Sequence, residues 1–168
     1  MPDDAALSAP GFELTEHTAD VGVRAWGPRR EDVFAQAARG MLSLVCEPAT
    51  VTPRERYVVE VEAFDESLLL AAWLNELLYL VEGRGLVFSG AFDIELLDEA
   101  AVGREGVGGS AVGDGGEGAQ VTLRALAAGE PYDPARHELR AAVKAATLHR
   151  LSLHEVPGGW EGRVLLDV

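Results

Sequence analysis

Apolar residues follow two different spacings in the first part of the chain. At 21–26 they recur at every second position, which is typical of a strand with one covered face. At 29–46 they recur every three or four positions, as in an amphipathic helix, and Pro48 ends this run because proline cannot continue the helical hydrogen bonds. A strand followed by a helix is therefore predicted, and a short strand is also predicted to begin near 12–14.

A second strand followed by a second helix is predicted further along the chain. Alternation at 56–63 predicts a second strand, and the apolar stripe at 68–82 predicts a second helix. Asp65 or Ser67 can cap this helix, since short polar side chains accept hydrogen bonds from the first free amides. Its stripe is the wider of the two, so we expect this helix to be the more buried one.

The rest of the chain predicts strands and no further helix. They are expected at 86–88, 91–97, 120–128, 141–153 and 160–168, with turns at 83–85, 130–134 and 157–159. Because helices do not alternate with these later strands, a doubly wound parallel sheet is disfavoured. The order favours an α+β fold of two layers, a mostly antiparallel sheet with two main helices on one face.

The domain organisation predicted from composition is simple. Residues 1–11 have no apolar period and contain two prolines, so they are expected to form a flexible leader. Residues 12–168 are long enough for one domain with a hydrophobic core. Within that domain, the glycine-rich segment 103–118 is predicted to be a flexible surface loop, for which a plain insertion without a function is the simpler interpretation.

Charge and cysteine content narrow the classes of function. The formal net charge of −14 opposes direct binding of nucleic acid, since phosphate backbones are bound by Lys and Arg. An acidic surface favours a basic protein partner or a cation instead. The single cysteine, Cys46, excludes an intrachain disulfide and a multi-cysteine zinc site, and it is interpreted as a small buried side chain. No membrane-spanning segment or signal peptide is predicted, so a cytoplasmic protein is expected.

Polar groups that could carry chemistry concentrate at two places. Glu-His-Thr-Ala-Asp at 16–20 precedes the strand at 21–26, and Asp167 lies at the end of the last strand, beside the α-carboxylate of Val168. Alone, Asp20 is explained by capping of a turn and Asp167 by a solvated surface acid. If Asp20 joined Asp167 and the carboxylate of Val168, three oxygen donors of the kind that hard cations prefer would converge.

A resemblance to a known family brings these two places together. It rests on Glu-His-Thr-Ala-Asp-Val-Gly-Val-Arg-Ala-Trp-Gly at 16–27 and continues through 31–44, 73–78, 85–88, 143–149 and 164–168. These segments resemble the archease family, over residues 12–168 except the glycine-rich loop. The chain differs at Leu148, where the family often has tyrosine, and at Ala146, where a bulkier aliphatic residue is usual.

The resemblance implies an accessory protein of an RtcB-type RNA ligase, in tRNA splicing or RNA repair. It implies that the chain is not itself the enzyme and promotes guanylylation of the ligase and its multiple turnover. It also implies a divalent cation, Ca²⁺, Mg²⁺ or Mn²⁺, bound by Asp20, Asp167 and the α-carboxylate of Val168. His17 and Thr18 are then candidates for residues that orient the carboxylate of Asp20 without contacting the metal.

Two other functions stay open at this point. One is a general chaperone-like or scaffold module for RNA-processing enzymes, which would not depend on a metal. The other is a stand-alone metal-dependent hydrolase that uses His17 with the two aspartates, although no nucleophile motif supports it.

For the remaining lysine and histidines the sequence predicts a location in the fold but no function. Lys144 and His149 match family positions, and the alternation at 141–153 places them on opposite faces, with His149 on the face that the helices cover. His137 and His154 are expected in loops or at the surface.

Overall fold

The computed structural model describes residues 9–16, 19–98 and 120–168. Its elements, in chain order, are β1 (Gly11–Glu16), β2 (Asp20–Gly27), α1 (Arg30–Val45), β3 (Glu55–Ala63), α2 (Glu66–Arg84), β4 (Leu86–Asp98), β5 (Val121–Pro131), β6 (Ala145–Val156) and β7 (Gly159–Asp167), with a 3-10 turn at Pro48–Thr50. The α+β class is therefore confirmed. The glycine-rich segment 103–118 and the first eight residues lie outside the described residues.

The strands form two antiparallel sheets, whereas the sequence predicts one. The first sheet has four strands in the order β1-β2-β7-β6, and the second has three in the order β3-β5-β4. Helix α1 contacts β1, β2 and β7 of the first sheet and β4 of the second, while α2 contacts β6 of the first and all three strands of the second. Both helices thus bury side chains against two sheets. No residue of α1 is exposed, whereas Tyr79 and residues 82–84 of α2 are, so the prediction that the second helix is the more buried one is wrong.

Specific hydrogen bonds and one glycine fix the ends of α2 and join it to α1. Asp65 caps α2, because its Oδ1 accepts a hydrogen bond of 2.8 Å from the amide of Leu68. The helix ends at Gly85, whose φ of 64° lies in the left-handed region that glycine adopts without strain. The fully buried Trp73 of α2 donates its indole N–H to the carbonyl of Phe34 in α1 at 3.0 Å, which joins the two helices.

Two predicted boundaries are wrong. The sequence predicts a turn at 130–134, but Glu130 and Pro131 belong to β5, whose pairing with β4 continues to Pro131. The predicted strand at 141–153 begins instead at Ala145. The reason is that the amides of Arg140 and Ala141 bond to the carbonyls of Val45 and Leu44, which the end of α1 leaves without helical partners.

The alternation within β6 is also broken. Its register with β7 shifts between Thr147 and Ser152, and Arg150 in this bulge has a φ of 56°. His149 is consequently exposed and does not lie on the face that the helices cover, so that prediction is wrong. Within the described residues, no helix has the length and apolar composition needed to cross a bilayer.

Candidate functional site

The structure brings Asp20 and Asp167 together. Strands β2 and β7 pair in the middle of the four-stranded sheet, and Asp20 and Asp167 are direct Cα partners in their antiparallel register. Residues directly opposite each other in such a pair point to the same face, with Cβ atoms about 4.5–5.5 Å apart. The neighbouring residues Val21 and Leu166 are buried on the helix-covered face, so both carboxylates belong to the outer face of the sheet.

The two carboxylates have no cationic partner in the part of the chain that the structure describes. Asp20 and Asp167 are both partly buried, and neither side chain forms a hydrogen bond or ion pair with a residue in 9–16, 19–98 or 120–168. Like charges placed directly opposite each other in a sheet are destabilising. This arrangement therefore favours binding of a positive group at the end of β2 and β7.

A third strand fixes the position of Asp167. Ala145 of β6 is the Cα partner of Asp167, and the amide of Lys144 donates a hydrogen bond of 2.7 Å to the carbonyl of Asp167. Val168 follows directly and is 41% exposed. The main chain of Asp167 is thus held between β2 and β6, while its side chain and the residue after it stay accessible.

These donors suit a hard divalent cation in type, since such ions prefer carboxylate oxygens. No group of three His, Cys, Asp or Glu side chains that could hold a metal is found among the described residues. Asp20 and Asp167 supply two side-chain ligands, and the predicted third ligand is the main-chain carboxylate of Val168. His17 and Thr18 lie outside the described residues, so their predicted orienting role stays a prediction.

The other candidate residues contribute no side-chain ligand to this site. The side chains of Lys144, His149 and His154 are exposed, and for His154 this matches the expectation. Cys46 is buried, as predicted, at the end of α1. Its backbone forms an isolated bridge with Leu139.

A buried polar cluster was missed by the sequence analysis. Glu130 and His137 are 1% and 2% exposed, so His137 lies in a loop, as expected, but is buried and not at the surface. Oε2 of Glu130 accepts a hydrogen bond of 3.1 Å from the amide of Thr52, and its carboxylate forms ion pairs with Arg136 and, at 3.6 Å, with Arg54. Nε2 of His137 lies 2.8 Å from Oε1 of Glu130, although the two groups are not aligned as a hydrogen bond.

Hydrogen bonds and ion pairs determine the charge state of Glu130 in this cluster. The amide of Asp133 donates a hydrogen bond of 2.9 Å to Nδ1 of His137, which holds the imidazole ring beside Glu130. Burial alone raises the pKa of Glu130, but the hydrogen bond and charge of Arg136, with His137 and Arg54, outweigh it and hold this pKa below its ordinary value. The cluster attaches the end of β5 and the segment after it to residues 52–54, which precede β3.

A second ionic network lies on the outer face of the four-stranded sheet. Nη2 of Arg24 bonds to Oε2 of Glu161 at 2.9 Å, and Nε of Arg163 bonds to Oε1 of the same carboxylate at 2.9 Å. Burial raises the pKa of Glu161, but the bonds from Arg24 and Arg163 outweigh it and lower this pKa overall. Glu161 is 8% exposed and orients both guanidinium groups. Because side chains alternate along β7, Glu161, Arg163 and Asp167 share this face.

Comparison with known proteins identifies relatives over nearly the whole chain. The family model described as "Archease protein family (MTH1598/TM1083)" matches residues 12–168. The protein archease of Methanosarcina mazei is 32% identical over 157 residues, 94% of this chain and 95% of its own length. The protein archease of Aeropyrum pernix is 33% identical over 162 residues, 96% of this chain and 100% of its own.

A solved structure shares the fold. The solution structure of protein 1598 of Methanobacterium thermoautotrophicum superposes with a TM-score of 0.69 at 28% sequence identity, covering 94% of this chain and 99% of that one. The chain belongs to the archease family.

Proposed function

We propose that this chain activates an RtcB-type RNA ligase by means of a divalent cation held at the end of β2 and β7. The family implies an accessory role associated with RNA ligation, and the activation of a particular ligase is our proposal. The observation that supports it is the direct pairing of Asp20 with Asp167 on the outer face of the sheet. In the proposal the chain assists the ligase and is not the catalyst of the joining reaction.

Asp20, Asp167 and the α-carboxylate of Val168 would hold the cation, whether Ca²⁺, Mg²⁺ or Mn²⁺. A divalent cation neutralises and bridges phosphate oxygens during phosphoryl transfer, which is the chemistry of guanylylation. The chain's own contribution is to position the carboxylates. The hydrogen bond from Lys144 and the pairing of Asp167 with Asp20 and Ala145 fix the backbone of the site, while Val168 stays exposed towards a partner.

The experiment measures multiple-turnover ligation by an RtcB-type ligase with and without the full chain. We expect Asp20→Ala, Asp167→Ala and a variant with a short C-terminal extension to lose most of the stimulation while remaining at least as thermally stable as the wild type in chelator. Asp93→Ala is the matched control, because Asp93 is an exposed aspartate on the three-stranded sheet and its replacement changes the net charge equally. Its stimulation should equal that of the wild type.

Two results would contradict the proposal. If the three site variants, folded normally, stimulate ligation as well as Asp93→Ala, the carboxylate site is not used. If the chain stimulates unrelated RNA-processing enzymes equally and a chelator has no effect, the scaffold function replaces ligase activation.

A further inference from the structure

A cavity of about 320 Å³ opens on the outer face of the four-stranded sheet. We call it the arginine cavity. It lies one outward-facing row from the aspartate pair, since Gly22 and Leu165 are the next partners on this face after Asp20 and Asp167. Its polar lining is formed by Glu13 and Thr15 of β1, Arg24 of β2, Arg150 of β6 and Arg163 of β7.

The charge of this cavity is opposite to that of the chain. Three guanidinium groups and one carboxylate line it, although the whole chain carries a net charge of −14. Arg24 and Arg163 are direct Cα partners across β2 and β7, a pairing of like charges that is unfavourable unless it is compensated. Glu161 compensates part of it by accepting one hydrogen bond from each arginine. With Glu13 and Glu161 set against the three arginines, one net positive charge remains at the cavity, and Arg163 and Arg150 carry it on the side away from Glu13.

Several guanidinium N–H groups at the cavity form no hydrogen bond with a described residue and are available to a ligand. Arg163 uses only its Nε in the bond to Glu161, its side chain is 61% exposed, and its two terminal nitrogens bond to no other described residue. Arg150 is exposed and forms no hydrogen bond or ion pair with any described residue. Glu13, which bonds to Arg24 at 3.3 Å, is 56% exposed and can rotate into solvent.

The backbone at Arg150 is strained in a way that places it at the cavity. Its φ of 56° is the only positive φ of a non-glycine residue among the described residues. This left-handed conformation is sterically unfavourable for a residue with a Cβ. Arg150 lies in the register shift of β6, and bulges of this kind redirect a side chain relative to regular alternation. Strain that the fold maintains at a charged cavity is a feature of binding sites.

We propose that the arginine cavity binds the phosphate group of a phosphomonoester. A tetrahedral phosphate presents three oxygens to different guanidinium groups at once, whereas a carboxylate presents two in one plane. Arg163 and Arg150 supply guanidinium N–H groups that bond to no other described residue. Arg24 supplies positive charge, and the hydroxyl of Thr15 can donate a hydrogen bond to a further phosphate oxygen. A free nucleotide and the terminal phosphate of an RNA end share this chemistry. The proposal depends neither on a bound cation nor on the ligase.

The test titrates the full chain with AMP, inorganic phosphate and succinate in the presence of a chelator, by calorimetry at low and high salt. We expect saturable binding of AMP and phosphate that weakens with salt, and much weaker binding of succinate. Arg163→Gln should weaken AMP binding about tenfold or more, because a charged hydrogen bond contributes about 1.5–3 kcal/mol. The control Arg124→Gln removes the same charge from the other sheet and should leave binding unchanged.

The variant Arg150→Gly distinguishes an effect on AMP affinity from an effect on protein stability. It removes a ligand group and also the strain, so AMP binding should weaken while the melting temperature is not lowered. A short RNA with a terminal phosphate identifies the source: tighter binding than AMP assigns the site to RNA ends, and weaker binding assigns it to a free nucleotide. The proposal is overturned if no phosphate probe saturates, if succinate or RNA without the terminal phosphate binds equally well, or if Arg124→Gln loses as much affinity as Arg163→Gln.

Discussion

Replacing Asn75 by alanine should destabilise the protein at the connection between α2 and β6. The side chain of Asn75 donates from Nδ2 to the carbonyl of Ala146 at 3.1 Å and accepts the amide of Ala146 at Oδ1, at 2.8 Å. Strand β6 is an edge of the four-stranded sheet, so among the described strands none pairs with these two backbone groups. Asn75 therefore takes the place of a neighbouring strand.

The size of the effect follows from this geometry. Two hydrogen bonds of about 1 kcal/mol each are lost, and the backbone groups of Ala146, which is 5% exposed, keep part of their desolvation cost. We expect the free energy of unfolding of Asn75→Ala to fall by about 3 kcal/mol. For a domain of this length that corresponds to a melting temperature lower by about 6–12 °C.

The assay is urea unfolding followed by circular dichroism, with the slope m compared between variants. Glu76→Ala is the matched control, because Glu76 is the next residue of α2 and forms no hydrogen bond with a described residue. It should change the free energy of unfolding by less than about 0.5 kcal/mol. Asn75→Asp keeps the acceptor and loses the donor, so it should fall between the two. Equal stability of Asn75→Ala and Glu76→Ala would refute the reasoning.

Three further predictions concern other parts of the fold. In chelator, Asp167→Asn should raise the free energy of unfolding by about 0.2–1 kcal/mol, because it removes the repulsion with Asp20. Excess Ca²⁺ should raise the melting temperature of the wild type and not of Asp167→Asn, and equal shifts would contradict a cation at this pair. The pKa of Glu130 is lowered by folding from its ordinary 4.5, so its stabilisation is present above that pH and is lost as the pH falls through the folded pKa. Urea midpoints at pH 7, 4 and 3 should therefore fall more for the wild type than for Glu130→Gln, whereas parallel curves would contradict this linkage. Gly129→Ala should cost about 1–3 kcal/mol in unfolding measurements, because the added Cβ would lie 2.1 Å from the carbonyl oxygen of Val87, and an unchanged midpoint would show that β4 can shift.

Local patterns predicted the regular elements well where one face is covered. The alternation along β2 placed Val21, Val23 and Ala25 on the buried face, and all three are buried. The wide stripe of α2 became a helix that contacts both sheets. These predictions succeed because periodic burial is encoded in neighbouring residues and depends little on distant ones.

The same reasoning failed where distant groups decide the outcome. The regular alternation assigned to β6 ignored the bulge around Arg150, so His149 was placed on the wrong face. The burial of His137 gives no signal in the spacing of nearby residues. Its burial depends on Glu130, and the pairing of β5 with both β3 and β4 that positions Glu130 cannot be read from residues near His137.

For the candidate site, the sequence by itself identified two residues that could bind a cation and their positions along the chain. It identified Asp20 before the strand at 21–26 and Asp167 at the end of the last strand. Only the tertiary structure decided that these two residues are direct partners, because the register between strands from opposite ends of the chain is set by packing of the sheet on both helices. The arginine cavity likewise exists only where β1, β2, β6 and β7 lie side by side. Local periodicity specifies which face a side chain takes, while the contact between distant strands specifies which side chains meet.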